Sequence, residues 1–385
     1  MNRKVIAIIW VLIIALSLIG CSSSGSKSDT IKIGHISAHT GPAALWGITE
    51  KNSVIMEVER INAAGGILGK QIELIGYDTK ADQVEAVNVT KRVIADGVSV
   101  IIGPAQSGLA IAIGPVTEKA GIPFIATTAT NSKVTVDEVT GKVFNTAFRA
   151  CFIDSFQGEV AAKYSYNSLN IRTAAIVYDV GSDYSQGLSE YFKEEFIKLG
   201  GTIVAEEAYR SGELDFRAIL GKVKEKEPDL IFAPSSTNEG GLIMKQARDL
   251  GLTCKFFGGD NWGTEDLYKI GGLSTEGAYF TDLVSKEDPQ IQSYIKEYTD
   301  KFGTTPLMPN GVMAIDALRT IAYAMEQGNS AEPDKLIQQL NKVVDAPVLT
   351  GKMTIDPKTH NPLNKPVVIM TVENSSFKFV DRVEE

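Results

Sequence analysis

Cysteine and histidine are the scarce residues here: the 385-residue chain carries three of each. Three cysteines are too few for a disulfide framework, and three scattered histidines give no zinc-ligand spacing. Positive charge is not clustered either. Beyond Arg3-Lys4 there is no basic run, and the net charge of −9 argues against a nucleic-acid partner. A Ser-His-Asp order with a nucleophile elbow and a glycine-rich phosphate loop are both lacking, which speaks against an enzyme and implies no cofactor. The apolar run from Val5 to Ile19 is too short to span a bilayer comfortably. What is there is a globular composition, 44% hydrophobic and 22% charged, with material for two ordinary domains or one large one.

The first residues read as a secretory signal, with Arg3-Lys4 ahead of the apolar run. It ends Leu18-Ile19-Gly20-Cys21, which resembles the lipobox of bacterial lipoproteins, where the cysteine receives diacylglycerol and becomes the new N-terminus. Residues 1–20 are then the signal and 21–29 a flexible, lipid-anchored tether. The body is expected outside the membrane, in an oxidising compartment. Cys151 and Cys254 are far apart in sequence and read as buried free thiols, although the chain does not say whether they meet.

The organising stretch runs from Val98 to Asn131. Val98–Ile102 is apolar and β-branched, as in a strand covered on both faces, and Gly103-Pro104 ends it. Ser107 stands where the next helix should begin; Pro115 inside that helix implies a kink or an early end. A second strand, Ile122–Ala126, opens into Thr127-Thr128-Ala129-Thr130-Asn131. Two adjacent parallel strands thus deliver hydroxyls and free N–H groups to one carboxyl edge, where open α/β sheets bind ligands. With no Lys or Arg in either turn, a carboxylate fits better than a phosphate. The same residues also fit simple cap and turn roles.

The rest of the pattern is β-α-β-α from Ile31 onward, repeated after Arg149, and predicts doubly wound parallel sheets. Trp46 falls just past the first carboxyl-edge turn, as a ligand-facing or a packing residue. The sequence Asp154-Ser155-Phe156-Gln157-Gly158 reads as a cap and first helical turn, and Tyr184 sits in a polar turn, Asp179–Gln186. Asp260 follows a short apolar strand and stands beside Gly258-Gly259; an ammonium is its natural partner, and an Asx-turn or N-cap its plainer role.

The strings IGHISAHTGPAALWG, INAAGGILGKQIEL, VIIGPAQSGLA and IPFIATTATN keep their order and spacing and resemble the solute-binding proteins of amino-acid ABC importers. These form the type I periplasmic, Leu/Ile/Val-binding-protein-like family. The resemblance, from about Ile31 to the C-terminus, implies two doubly wound lobes joined by a three-strand hinge. Lobe 1 would take 30–149 with 282–351, and lobe 2 would take 150–281 with 352–385, crossing near 149, 279 and 353. It assigns a ligand carboxylate to Ser107 and Thr130. It assigns the ammonium to Asp260, one methylene shorter than the family's usual acid, and to the Thr128 carbonyl. Tyr184 is placed against the ligand and Trp46 along its side chain. Where branched-chain binders commonly carry Tyr, this chain has Ser235-Ser236-Thr237, which would open or polarise the pocket at Ser236 and puts a branched aliphatic ligand in doubt. The implied partners are a small-molecule ligand, most simply an L-amino acid, and an ABC permease, with the protein a monomer and no metal bound. A receptor-linked sensor, or a binder of an amide or organic acid, would have the same body.

Overall fold

The computed structural model describes residues 30–41, 43–307, 309–363 and 365–384. The signal segment, Cys21 and the tether through residue 29 lie outside the described residues.

Lobe 1 is built on five parallel strands in the order β2-β1-β3-β4-β5. They are β1 (Ile31–Ser37), β2 (Ile72–Asp78), β3 (Val100–Ile102), β4 (Phe124–Ala126) and β5 (Ala147–Arg149), connected first by α1 (Ala44–Ala63), α2 (Gln83–Ala95) and α3 (Ser107–Ala120). After α4 (Asp154–Lys163) the pattern repeats as β6 (Thr173–Asp179), α5 (Asp183–Lys198), β7 (Thr202–Tyr209), α6 (Arg217–Lys224), β8 (Leu230–Phe232), α7 (Thr237–Asp249), β9 (Lys255–Gly258), α8 (Asp266–Gly271) and β10 (Tyr279–Asp282). Helices α9 (Gln292–Phe302), α10 (Asn310–Gly328) and α11 (Pro333–Leu340) return to lobe 1, followed by β11 (Ala346–Val348), β12 (Gly351–Ile355) and β13 (Pro362–Leu363). A closing hairpin, β14 (Val367–Val372) and β15 (Phe377–Val383), completes the lobe 2 sheet in the order β15-β14-β10-β9-β8-β6-β7.

The central strands are apolar on successive residues because both their faces are buried. In β3, Val100 and Ile102 join the core under α1 and α10, while Ile101 joins the opposite core with Leu109 and Ile113 of α3. Lobe 2 repeats the arrangement. Ile231 and Phe256 pack toward α6 and α7, whereas Phe232 and Phe257 face Leu188 and Phe192 of α5. Covering two faces with helices leaves the carboxyl edges as the open places on each sheet.

Three local expectations change. Pro115 lies on the exposed side of α3, and the helix continues through it to Ala120. Ser182 caps α5 by accepting from Ser185 N at 3.2 Å, so Tyr184 stands on the first helical turn rather than in a loop. The crossing placed at Gly351–Asp356 falls later. β12 buries Met353 and Ile355 but exposes Lys352, the mark of a one-sided strand, and it pairs antiparallel with β11 and β13. His360 then stacks on Phe148 at 4.3 Å, with Nδ1 3.0 Å from Ala147 O, and the chain enters the lobe 2 sheet only at Val367.

A buried ion pair fixes this late crossing. Asp316 of α10 accepts from Lys365 Nζ (2.8 Å), Thr350 Oγ1 (2.5 Å) and Leu349 N (2.7 Å), with the Lys365 side chain 6% exposed and that of Asp316 fully buried. Asp316→Ala strands the ammonium and is expected to cost about 3–5 kcal/mol in urea unfolding. The double variant Asp316→Ala/Lys365→Met should recover most of that loss, since the two effects are coupled.

Candidate functional site

The lobe 1 half of the site starts at the turn after β3. Gly103 has φ +92, and a Cβ there would come within 2.3 Å of Ile36 O, so only glycine fits the turn that leads to α3. Gln106 occupies the cap position without a side-chain cap bond, which frees Ser107 from capping. The buried Ser107 hydroxyl instead accepts from Asn131 N at 3.3 Å and ties the two carboxyl-edge loops together. Thr128 Oγ1 donates to Ala105 O (3.2 Å) and accepts from Asn310 Nδ2 (3.3 Å).

The loop carrying Thr130 is held from below by the first crossing. Arg149, at the end of β5, is completely buried and donates to Ala129 O and Asn131 O, both at 2.9 Å. Between them, Thr130 O accepts from Asp154 N at 2.9 Å. Three consecutive carbonyls are thus fixed, and the Thr130 side chain is presented at the junction of the lobes. The Asp154 side chain is not the cap that its sequence suggests. Ile153 holds the cap position of α4, and neither Asp154 oxygen has a hydrogen-bond partner although both are buried.

Lobe 2 contributes Asp260, in the short turn after β9, and Tyr184 on α5. Tyr184 Oη and Gln157 Nε2 each donate to Asp260 Oδ1 at 2.8 Å, and Gln157 Nε2 also reaches Thr281 Oγ1 at 2.7 Å. Burial pushes the Asp260 carboxyl above its usual range, opposed by the Gln157 and Tyr184 hydrogen bonds. Burial pushes Asp154 up to about 8, with the Asp260 charge adding to the shift and Thr130 and Arg149 opposing it. Asp282, at the end of β10, is also raised well above the ordinary value by burial.

Ser107, Thr128 and Thr130 thus sit on the two carboxyl-edge loops of lobe 1, Tyr184 and Asp260 are bonded to each other in lobe 2, and Asp154 interacts with both Thr130 and Asp260. Trp46 is half-buried on the first turn of α1. Ser236 departs from its reading: its exposed side chain caps α7 in a reciprocal box with Glu239. Its neighbours are equally committed, Ser235 Oγ to the Trp262 indole N–H (3.0 Å) and Thr237 Oγ1 to Asn261 O (2.5 Å). The three hydroxyls all make hydrogen bonds within lobe 2. Arg149, Asp154 and Gln157 were hidden in the sequence. The available signal was a charged residue set in the apolar run Phe148-Arg149-Ala150-Cys151-Phe152, where only a buried guanidinium makes sense.

The lobes touch across this junction. Asn131 Nδ2 donates to Asp183 O at 2.7 Å, and the hydroxyls of Ser132 and Tyr191 lie 2.5 Å apart. Cys151 and Cys254 are free thiols, the first buried and the second partly exposed. Among the described residues no group of three or more His, Cys, Asp or Glu side chains could hold a metal ion.

The family described as periplasmic binding protein matches residues 30–376. A leucine-, isoleucine-, valine-, threonine- and alanine-binding protein of Pseudomonas aeruginosa is 29% identical over 352 residues, 90% of this chain and 91% of the relative. Two solved structures are similar throughout. The leucine-binding protein LivK of Thermotoga maritima has a TM-score of 0.84 at 30% identity, covering 92% of this chain and 99% of that one. The branched-chain amino acid transporter substrate-binding protein LivJ of Streptococcus pneumoniae, in complex with isoleucine, has a TM-score of 0.83 at 31% identity, covering 93% and 100%.

Close packing around Asp260 gives a direct test. A Cβ on Gly259 would fall 2.0 Å from Tyr184 Oη and 2.7 Å from Leu188 Cδ2. Gly259→Ala should lower stability in thermal or urea melts by about 1–3 kcal/mol. Adding Tyr184→Phe should restore part of the loss, because it removes the atom that clashes most.

Proposed function

The chain belongs to the periplasmic binding protein family, and from that premise we propose that it captures an α-amino acid between its lobes and delivers it to an ABC importer. The family and the relatives are solute-binding proteins, not enzymes, and the family works outside the cytoplasm. In our reading Cys21 carries a lipid that holds the body at the membrane, within reach of the permease.

The ligand carboxylate is assigned to the hydroxyls of Ser107 and Thr130 and to the free N–H groups opening α3, which carry the positive end of a helix dipole. The ammonium is assigned to Asp260 and the Thr128 carbonyl, with Tyr184 flanking it and Trp46 along the side chain. The observation that supports this reading is Asp260 itself: a buried carboxyl after β9, oriented by Tyr184 and Gln157, with an unpartnered Thr130 hydroxyl on the other lobe. A buried acid without a cation is costly, and an ammonium offsets that cost. Because the charged ends need both lobes, the ligand favours the closed arrangement, which is the form a permease would recognise. The serines and threonine at 235–237 are occupied inside lobe 2, so nothing polar there opposes a small or branched aliphatic side chain. That class, within the range named for the Pseudomonas relative, is the one we put first.

The test is calorimetric titration of the protein, unfolded and refolded to strip carried ligand, against the L-amino acids and against forms blocked at either end. Tight binding that is lost when either the carboxyl or the amino group is blocked is the expected result. Asp260→Ala should melt cooperatively and bind more weakly by about 3–5 kcal/mol, or two to four decades in affinity. Affinity kept within about threefold would remove Asp260 from the site.

A further inference from the structure

Several residues around the lobe junction keep buried polar atoms without partners, Arg149 Nε and Gln157 Oε1 among them, and two of these residues, Thr130 and Asp154, are tied to each other. Thr130 Oγ1 and both carboxyl oxygens of Asp154 make no hydrogen bond, yet the backbones of the two residues are joined by Asp154 N donating to Thr130 O at 2.9 Å. Both residues are fully buried. Groups like these are ordinarily satisfied, and a carboxyl that neither caps its helix nor pairs with a cation calls for another use. α5 leaves room beside it: Gly187 has no side chain, and a Cβ there would lie 3.7 Å from Asp154 Oδ2 and 2.5 Å from Asn131 Nδ2.

We propose that Asp154 is a positioning residue that, as a neutral carboxylic acid, donates its proton to Thr130 Oγ1 and so turns the Thr130 hydroxyl proton toward the ligand carboxylate. This rests on the assignment of that carboxylate to Thr130 above. A hydroxyl has one proton and two lone pairs. If its oxygen accepts from Asp154, its proton is free for an anion; if Asp154 is ionised, the proton turns back to Asp154 and is withdrawn from the ligand. While Asp154 is neutral only hydrogen bonds are exchanged; when it ionises, its carboxyl O–H bond breaks and the proton passes to solvent.

The surroundings keep Asp154 neutral in the required range. Arg149 faces it from β5 and opposes the shift, but its two terminal nitrogens are held by Ala129 O and Asn131 O, and its buried Nε makes no hydrogen bond to the carboxyl. Cys151, in the connection, is pushed up to about 12 by burial, and Tyr184, from α5, well above its ordinary value, so both stay uncharged. Asp260, after β9, is the second carboxyl, with Asp282 facing it in turn, and the Asp260 charge disfavours ionisation of Asp154. Burial and that charge hold Asp154 protonated up to about pH 8. A ligand carboxylate near Thr130 favours the proton further, so binding above that pH takes a proton up and affinity falls as pH rises.

The experiment is titration of the intact protein with its tightest-binding amino acid from pH 6 to pH 9, for wild type, Asp154→Asn and Asp154→Ala, with melting curves for each. Wild-type affinity should be flat to near pH 8 and fall up to about tenfold per unit above it. Asp154→Asn, whose amide donates at every pH, should bind within about threefold of wild type at pH 7 and lose that fall, while carrying the same titration of the ligand amine. Asp154→Ala should bind about tenfold or more weakly throughout, having no donor for Thr130. An Asn variant as weak as Ala, or one with an unchanged pH profile, overturns the proposal. An improvement with rising pH in wild type also overturns it, since that is the sign expected if ionisation of Asp260 dominates. If no amino acid binds wild type at any pH, the functional reading itself has failed, which is a different result.

Discussion

A guanidinium sealed from water is the constraint around which the binding face is arranged. Arg149 ends the last strand of the lobe 1 sheet and has no solvent to share its charge, so it must be held by the peptide carbonyls of Ala129 and Asn131. Those bonds dictate the path of the threonine loop, place Thr130 at the junction, and align the first crossing so that Asp154 N meets the carbonyl between them. The charge also explains why acids gather nearby. Asp154 lies in its field, and Asp260 and Asp282 complete a sequence of carboxyls running into lobe 2.

The two sheets supply the rest of the geometry. Each is covered by helices on both faces, so its backbone polar groups are satisfied laterally and only the strand ends remain for other partners. The carboxyl ends of β3 and β4 in lobe 1, and of β9 and β10 in lobe 2, carry the loops that meet. Gly103 and Gly259 sit at these ends because a side chain at either would collide inside its own lobe, with Ile36 O in lobe 1 and with the Tyr184 hydroxyl in lobe 2. The capping box at Ser236 and the Ser235–Trp262 bond belong to the rigid part of lobe 2, keeping α7 and the Asp260 turn in register.

Much of this was legible in the residues because two-sided burial writes itself as unbroken apolar runs. Val98–Ile102 and Leu230–Ala233 could hardly be anything but central strands, and the glycines beside Asp260 mark a backbone that must pass close to something. The resemblance to the Leu/Ile/Val-binding-protein-like family agreed with these features and the comparisons bear it out. What the sequence concealed were positions where one residue type serves two purposes. An aspartate opening a helix reads as a cap whether its carboxylate turns back to the backbone or into the interior, and Asp154 does the latter. A serine before a helix reads equally well as a pocket residue, and Ser236 is a cap. Gly351–Ile355 has the length of a hinge strand, and only its antiparallel partners show that the chain has not yet crossed.

Two of the bonds by which the lobes touch, at the binding junction, are uncharged. An amide on Asn131 reaches a peptide oxygen of Asp183, and a serine hydroxyl meets a tyrosine hydroxyl. Dissolved ions weaken attraction between exposed charges over a distance of about 8–10 Å at ordinary salinity, but they have little purchase on neutral dipoles in contact. These two contacts therefore hold alike in brine and in fresh water, whereas the Arg382–Asp288 ion pair, partly open to solvent, weakens as salt rises.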